Sequence, residues 1–139
     1  MIIEVLYKSA DIFFVVFHTA LILFNVLGWI WKKTRRLNFY TLILTGASWF
    51  ILGIFYGMGF CPLTQWHFEI LEKLGHSNLP RSYIQYLIER LSGFMFNARF
   101  VDTITFIVFF IALIMSVILN IRQEKNKSGR NSGFYSRYN

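Results

Sequence analysis

The sequence predicts an all-α integral membrane protein with three transmembrane helices and an extracytoplasmic amphipathic helical segment between the second and third. Three observations support this fold class. Of the 139 residues, 55% are hydrophobic and only 15% are charged, compared with about 25% charged residues in an ordinary soluble domain. Three uncharged runs are long enough to cross a bilayer. A soluble fold of this size has too little interior for 16 Phe, 7 Tyr and 4 Trp, so a water-soluble enzyme is not expected.

The three uncharged runs define the predicted spans. They cover residues 12–31, 39–60 and 103–121, and about 20 residues at 1.5 Å each cross a hydrocarbon core of about 30 Å. The first run is not expected to be a cleaved signal peptide, because Glu4 and Asp11 make its leader acidic. Together the runs predict a single transmembrane domain over residues 1–121.

The basic residues predict how the helices are threaded. Four of them lie in the connector 32–38 and five in the tail 122–139, and short segments rich in Lys and Arg stay in the cytoplasm. We therefore expect the N-terminus outside and the C-terminus in the cytoplasm. The tail is polar and rich in Gly, Ser and Asn, which predicts disorder. The net charge of +7 is concentrated at these flanks. We therefore interpret it as a topology signal and expect membrane lipids, not nucleic acid, as partners.

Residues 64–98 are predicted to form an amphipathic cap outside the membrane. Apolar residues recur there at helical spacing but are interrupted by charges. A re-entrant segment over residues 82–98 is one alternative, and a fourth span over the same residues is the other. It would bury Glu89 and Arg90 in the bilayer at about 2.5–3.5 kcal/mol each, and it would place both termini on one side.

Polar residues of the first and third spans form the candidate ligand site. Asp11, His18 and Asn25 are spaced by seven and so share one helix face. Arg99 and Asp102 begin the third helix, and we expect them to complete an outer-leaflet cluster with Asp11. In one interpretation Asp11 orients or protonates His18, and the pair binds a headgroup, a quinone carbonyl or a proton. In the other, His18 and Asn25 form hydrogen bonds between helices.

We expect no metal site and no cofactor. The single Cys61 excludes an intramolecular disulfide and a multi-cysteine metal centre within the chain. Only His18 lies within a span, which leaves haem without a second axial histidine. His67 and His76 are nine residues apart, which is not a metal-ligand spacing on one helix face. Quinone and haem remain the alternative ligands to test.

Two motifs surround the end of the second span. The first motif consists of Cys61, Pro62, Leu63 and Thr64. It predicts a corner of the chain at the membrane surface, in which Thr64 caps the next helix. A reactive thiol is the alternative interpretation of this motif. Within the span, Gly53 and Gly57 have the spacing that allows close helix packing, either inside the chain or between two copies.

These residues resemble a known family. Residues 7–28, with Ala10-Asp11 followed by an apolar run and His18, are similar to the first helix of small bacterial membrane proteins catalogued as domain of unknown function 2784. Cys61–Thr64 resembles that family's Cys-Pro-Leu-Thr motif. The resemblance covers about residues 5–121, and it implies a fold and a bacterial inner-membrane location but no reaction. The family often carries a glutamate late in the second helix, which residues 52–60 lack.

The sequence therefore supports two hypotheses of function. The first is an accessory or interaction subunit without catalytic activity, which packs against another membrane protein, a second copy or lipid. The second is a lipid-headgroup- or quinone-binding protein, with or without catalysis, that uses the outer-leaflet Asp, His and Arg cluster. Transport is disfavoured, because three spans enclose no pathway and no inverted repeat is visible.

Overall fold

The structure is a computed structural model that describes residues 1–135. Over these residues the chain consists of helices and the segments that connect them. Three helical segments are long and apolar enough to cross a membrane, namely Ile2–Leu27, Arg35–Tyr56 and Ala98–Ser128. The predicted fold class is thus confirmed.

The first span is helix α1, Ile2–Leu27, which begins and ends earlier than the predicted run 12–31. Its first turns tolerate charge because Lys8 pairs with Glu4 one turn away, at 2.7 Å. After Leu27 the chain turns, and this turn is held by side chains from the next helix. Thr34 donates its hydroxyl proton to the carbonyl oxygen of Gly28 at 2.7 Å.

The second span is built from three consecutive pieces. Helix α2, Arg35–Ala47, continues through the π-helical turn Ser48–Leu52 into the short helix α3, Gly53–Tyr56. The span ends before the predicted residue 60, because Gly57 has a φ of 105°, which lies in a region that L side chains rarely adopt. The chain then folds back, and the Ser48 hydroxyl donates to the carbonyl oxygen of Phe60 at 2.9 Å.

The predicted cap consists of two short helices, α4 (Pro62–Lys73) and α5 (Tyr83–Ser92). Helix α4 packs against α1, and α5 packs against the third span. With ten residues, α5 is about 15 Å long, which is too short to cross a bilayer. The alternative of a fourth span over residues 82–98 therefore does not hold.

The third span belongs to the longest helix, α6, Ala98–Tyr135. The expectation of a disordered tail fails for residues 122–135, which continue the helix, while 136–139 lie outside the described residues. The tail begins with residues of high helix propensity, and adding a residue to an existing helix is much easier than starting one. Glu124 also anchors this part, because it pairs with Arg36 of α2 and lies 3.8 Å from Lys127.

The core of the spans lies between α2 and α6. Leu42, Phe109 and Ala112 form a buried cluster, and Trp49 packs against it. Gly46 permits this contact, because a Cβ atom there would lie 3.3 Å from the ring of Phe109. The most apolar stretches of the three spans are only 6%, 11% and 17% buried, so most of their surface faces outward.

Candidate functional site

Asp11 lies at the centre of a polar cluster in which α1, α4 and α5 meet. Its carboxylate accepts two hydrogen bonds from the guanidinium of Arg90, at 2.6 and 2.9 Å. It accepts a third from Nε2 of His67, at 2.8 Å. We call Asp11, His67, Tyr83, Tyr86 and Arg90 the outer clamp, after the side of the membrane that the sequence predicts for this end of α1.

His67 joins α4 to both neighbouring helices and is completely buried. An ionised carboxylate only accepts hydrogen bonds, so the proton on Nε2 points to Asp11. In the neutral ring Nδ1 then accepts, and the Tyr83 hydroxyl donates to it at 2.8 Å. The ring of Phe14 stacks on the imidazole with centroids 5.4 Å apart. The result is a hydrogen-bond chain from Tyr83 through His67 to Asp11.

Tyr83 connects this chain to the deeper part of α1. Only 6% of the residue is exposed, and its hydroxyl oxygen also lies 3.4 Å from the carbonyl oxygen of Phe14. The Tyr83 ring stacks on His18, with centroids 3.9 Å apart and planes 20° apart. Protonation of His67 would turn Nδ1 into a donor, and the Tyr83 hydroxyl could then donate to Phe14 instead.

Arg90 closes the cluster on its outer side. Its side chain is 34% exposed against 13% for Asp11, and it also donates to the hydroxyl oxygen of Tyr86, one turn earlier on α5. A carboxylate held by both arms of an arginine is the strongest common type of ion pair. The pair is electrically neutral, which allows it to lie beside an apolar helix.

The protonation states of the cap residues follow from burial. Burial lowers the pKa of His67 below its ordinary 6.5, and the hydrogen bond that His67 donates to Asp11 opposes this shift. Burial raises the pKa of Tyr83 and of Tyr86. The hydrogen bond to Asp11 raises the pKa of Arg90. At neutral pH the clamp therefore holds a neutral imidazole, two neutral phenols and a charged guanidinium, and Tyr83 is too buried and too weakly acidic to act as a nucleophile.

The structure brings together only part of the predicted cluster. Asp11 belongs to the outer clamp and His18 stacks on one of its members, Tyr83, but Arg99 and Asp102 are exposed at the start of α6. Arg90 occupies the role expected for Arg99. From the sequence alone, Arg90 matters only as a charge that disfavours a fourth span. The signal that was missed is the spacing of Tyr83, Tyr86 and Arg90, which places all three on one side of α5.

Asn25, the third residue of the predicted polar face, belongs to a separate contact near the other end of α1. Its amide donates to Thr45 Oγ1 of α2 at 3.0 Å. Asn38, fully buried, donates to the carbonyl oxygens of Phe24 and Asn25 at 2.7 and 3.2 Å. We call Asn25, Asn38 and Thr45 the inner joint. It supplies a donor to the Asn25 carbonyl oxygen at the end of α1 and adds a second donor to the Phe24 carbonyl oxygen, which also accepts from the Gly28 N–H at 2.8 Å.

The corner motif forms a helix start, but not with the expected cap. Helix α4 begins at Pro62, and Cys61 is its N-cap residue, so Thr64 lies inside the first turn instead of capping it. Pro62 suits the first turn of a helix because its missing N–H would have no helical acceptor there. The thiol of Cys61 is free and half-buried.

Within the chain, the two predicted packing glycines lie at the end of the second span and not against another span. A Cβ atom at Gly53 would lie 3.3 Å from the Cα of Met58, so Gly53 accommodates the returning chain. Gly57 is the residue of positive φ at the turn. Within the described residues no group of three or more His, Cys, Asp or Glu side chains could hold a metal ion.

Comparison with known proteins identifies a family. The model of a family described as a protein of unknown function, DUF2784, matches residues 8–121. No curated protein and no solved structure matches the chain. The matched region contains most of α1, all of α2 to α5 and the first part of α6, and it includes the whole outer clamp. The chain therefore belongs to the DUF2784 family.

Proposed function

We propose that the protein is an accessory subunit of the membrane that packs an exposed face of α6 against a transmembrane helix of another membrane protein. The observation that carries this proposal is the distribution of isoleucine in α6. All six isoleucines of the helix are at positions 104, 107, 111, 114, 118 and 121. Between 40% and 56% of each is exposed.

The spacing of these residues alternates between three and four. This is the a/d period of a left-handed coiled coil, in which each side chain inserts between four residues of the partner helix. Among the side chains of α6 whose burial is described, those at positions 98–128, the buried ones are Val101, Phe109, Ala112 and Ser116, so the isoleucine face is free for a partner. We call these six positions the isoleucine stripe.

Lipid contact alone requires apolar side chains but does not select among them. Isoleucine is stiff at χ1 and loses little freedom when it packs. Helix association in membranes depends on such packing, because lipid tails are as apolar as leucine. The uniform choice of one β-branched residue at six positions therefore favours a helix partner over lipid.

Site-specific photo-crosslinking in intact membranes tests the proposal. A photoreactive amino acid at Ile111 or Ile114 is expected to yield one dominant protein adduct. Phe13 and Phe17, which are exposed on α1, are the matched control positions and should yield mainly lipid adducts. The adduct mass distinguishes a different protein from a second copy. Lipid adducts alone at the stripe would refute the proposal.

We also propose that the protein lies in the inner membrane of a bacterium with its N-terminus outside. The four basic residues of the connector 32–38 and the basic residues of the α6 extension support this orientation. Cysteine labelling tests it, with Cys61 replaced by serine. Cysteines introduced at residues 32–36 should react with a membrane-impermeant reagent only after the membrane is permeabilised. Cysteines introduced at residues 73–80 should react from outside without permeabilisation. The reverse pattern would invert the topology.

A further inference from the structure

One side of helix α5 faces the outer end of α1. The hydroxyl oxygen of Tyr83, the first residue of α5, lies 3.4 Å from the carbonyl oxygen of Phe14. Near the other end of α5, Arg90 donates to Asp11 at 2.6 Å. Tyr83 and Arg90 are seven residues apart and so lie on the same side of the helix. Both ends of α5 therefore contact α1 at nearly the same level.

The opposite side of α5 faces a deeper part of α1. Ile84 and Leu91 directly follow the two residues just named, and each points about 100° further round the helix. Together with Thr19 and Leu23 of α1, they line a groove of about 360 Å³. Along the axis of α1, Thr19 and Leu23 lie about 12 and 18 Å inward of Asp11. Both ends of α5 thus also contact α1 at this second, deeper level.

These two sets of contacts determine the orientation of α5. The levels of Asp11 and Thr19 differ by about 12 Å, which is the diameter of one helix with its side chains. Because the beginning and the end of α5 each contact both levels, the helix crosses α1 and does not run beside it. The spans lie close to the membrane normal. Helix α5 therefore lies along the plane of the membrane.

The side chains of α5 indicate how deep its axis lies. Glu89 accepts a hydrogen bond from Gln85 at 2.9 Å, and Arg90 retains access to solvent. Charged groups are unfavourable in hydrocarbon, so the axis lies at the level of the lipid headgroups. Ile84 and Ile88, on the side that lines the groove, point inward from there. This is the arrangement of an interfacial helix, whose apolar face lies about 5–10 Å into the boundary between headgroups and acyl chains.

The two connecting segments of the cap differ in the side chains that they expose. The turn after α4, residues 75–78, exposes glycine, histidine, serine and asparagine. The segment after α5 exposes Phe94 and Met95, at 69% and 84%, and it follows Leu91, which is 71% exposed. Contiguous exposed apolar side chains mark a contact surface. This surface continues the apolar side of α5, whereas the turn 75–78 is suited to water.

We propose that α5 and the segment 91–96 are embedded in the outer leaflet, the leaflet on the side of the outer clamp, and that the groove under α5 holds a phospholipid acyl chain. All side chains that line the groove are uncharged, and apart from Thr19 and Ser92 they are apolar. The groove lies inward of the headgroup level, where a bilayer contains hydrocarbon. This inference goes beyond the proposed accessory function and does not depend on the isoleucine stripe.

Spin labels on the full-length protein, in vesicles of phosphatidylethanolamine and phosphatidylglycerol, test the depth. With Cys61→Ser as background, Phe94→Cys and Met95→Cys carry the label in turn. His76→Cys and Asn78→Cys are the matched exposed controls. Oxygen concentrates in hydrocarbon, and a nickel chelate stays in water. Labels at 94 and 95 should collide mainly with oxygen and lie about 5–10 Å below the headgroups, while the controls should collide mainly with the chelate.

A phospholipid with a photoreactive group in its acyl chain tests the groove. Illumination of the same vesicles should attach the lipid to residues 84–91 of α5, as mapped by mass spectrometry. Ile88→Trp fills the groove and should remove most of these adducts. The control Ile107→Trp changes an exposed position of α6 and should leave them unchanged. If Ile88→Trp does not fold, as judged by size-exclusion chromatography, Leu23→Trp fills the groove from the opposite wall.

Three results would overturn the proposal. Labels at 94 and 95 that collide with the nickel chelate as often as the controls would place the segment in water. Labels protected from both reagents would place it against protein, either a partner or a second copy. Adducts on residues 84–91 that are absent from the wild type, or that persist unchanged when the groove is filled, would show that no acyl chain occupies the groove.

Discussion

The two ends of α1 are held by different chemistry. At the outer clamp, a carboxylate, an imidazole and a guanidinium join α1 to the non-spanning helices α4 and α5. At the inner joint, the neutral amides of Asn25 and Asn38 join α1 to the second span. Charged groups are tolerated at the outer end because Arg90 retains access to solvent. The comparison indicates that the cap is attached by a pH-sensitive contact and the spans by a pH-insensitive one.

The largest effect should come from removing the centre of the outer clamp. Asp11→Ala leaves the Arg90 charge and the buried His67 without their shared acceptor. We expect the unfolding free energy to fall by about 2–4 kcal/mol. This loss is below the range for fully buried ion pairs, because Arg90 is partly exposed. Thermal unfolding in detergent measures it. Hydrogen exchange should show α4 and α5 released before the spans. The control Glu4→Ala removes only an exposed pair, and an equal effect of the two variants would contradict the clamp.

The inner joint should give a smaller loss that is independent of pH. Asn38→Ala removes the side-chain donor of the Asn25 carbonyl oxygen and one of the two donors of the Phe24 carbonyl oxygen, at a cost of about 1–3 kcal/mol. Unfolding measured at pH 5 and pH 7.5 should show the same difference from the wild type. A loss that depends on pH would mean that the two ends of α1 are not chemically distinct in the way proposed.

The pH dependence of the unfolding free energy should come from His67. Because burial lowers its pKa in the folded state, the unfolded chain binds a proton below the ordinary value of 6.5 while the folded chain resists it. Stability due to this group is therefore complete above pH 6.5 and falls as the pH is lowered, by up to about 1.4 kcal/mol per pH unit for one proton.

Unfolding free energies between pH 7.5 and 5 measure this slope, which His67→Gln should reduce. The exposed His76 provides the matched control, because His76→Gln should keep the slope. The groups that face His67 are Asp11 and His18 from α1, and Tyr83, Tyr86 and Arg90 from α5. An unchanged slope in His67→Gln would assign the pH dependence to one of these neighbours.

The smallest effect should come from Tyr83→Phe. This change removes the hydroxyl that donates to His67 but keeps the ring that stacks on His18. We expect a loss of about 0.5–1.5 kcal/mol, the net contribution of one hydrogen bond. A loss as large as that of Asp11→Ala would show that the hydrogen-bond chain, and not the ion pair, holds the cap.

Local sequence determined the helices and part of the polar face. Three apolar runs predicted three spans, and Asp11, His18 and Asn25 were expected to share one face because helix geometry fixes the positions of residues seven apart. In the structure, however, the spans begin and end at residues other than those predicted. Gly57 ended the second one early, and helix propensity extended α6 beyond its apolar part, since the position of a helix end depends on capping and turn geometry more than on hydropathy.

Tertiary structure alone decided the partners of that polar face. His67 and Arg90 lie 56 and 79 residues from Asp11 in the chain, and their approach depends on the turn after Gly57 and on the second turn, at Gly75 and Asn78, which have positive φ. Sequence spacing carries no information on which of several arginines a folded loop brings to a carboxylate. The sequence therefore determined that Asp11 needs a cation, and only the packing of α4 and α5 against α1 and α6 selected Arg90 over Arg99.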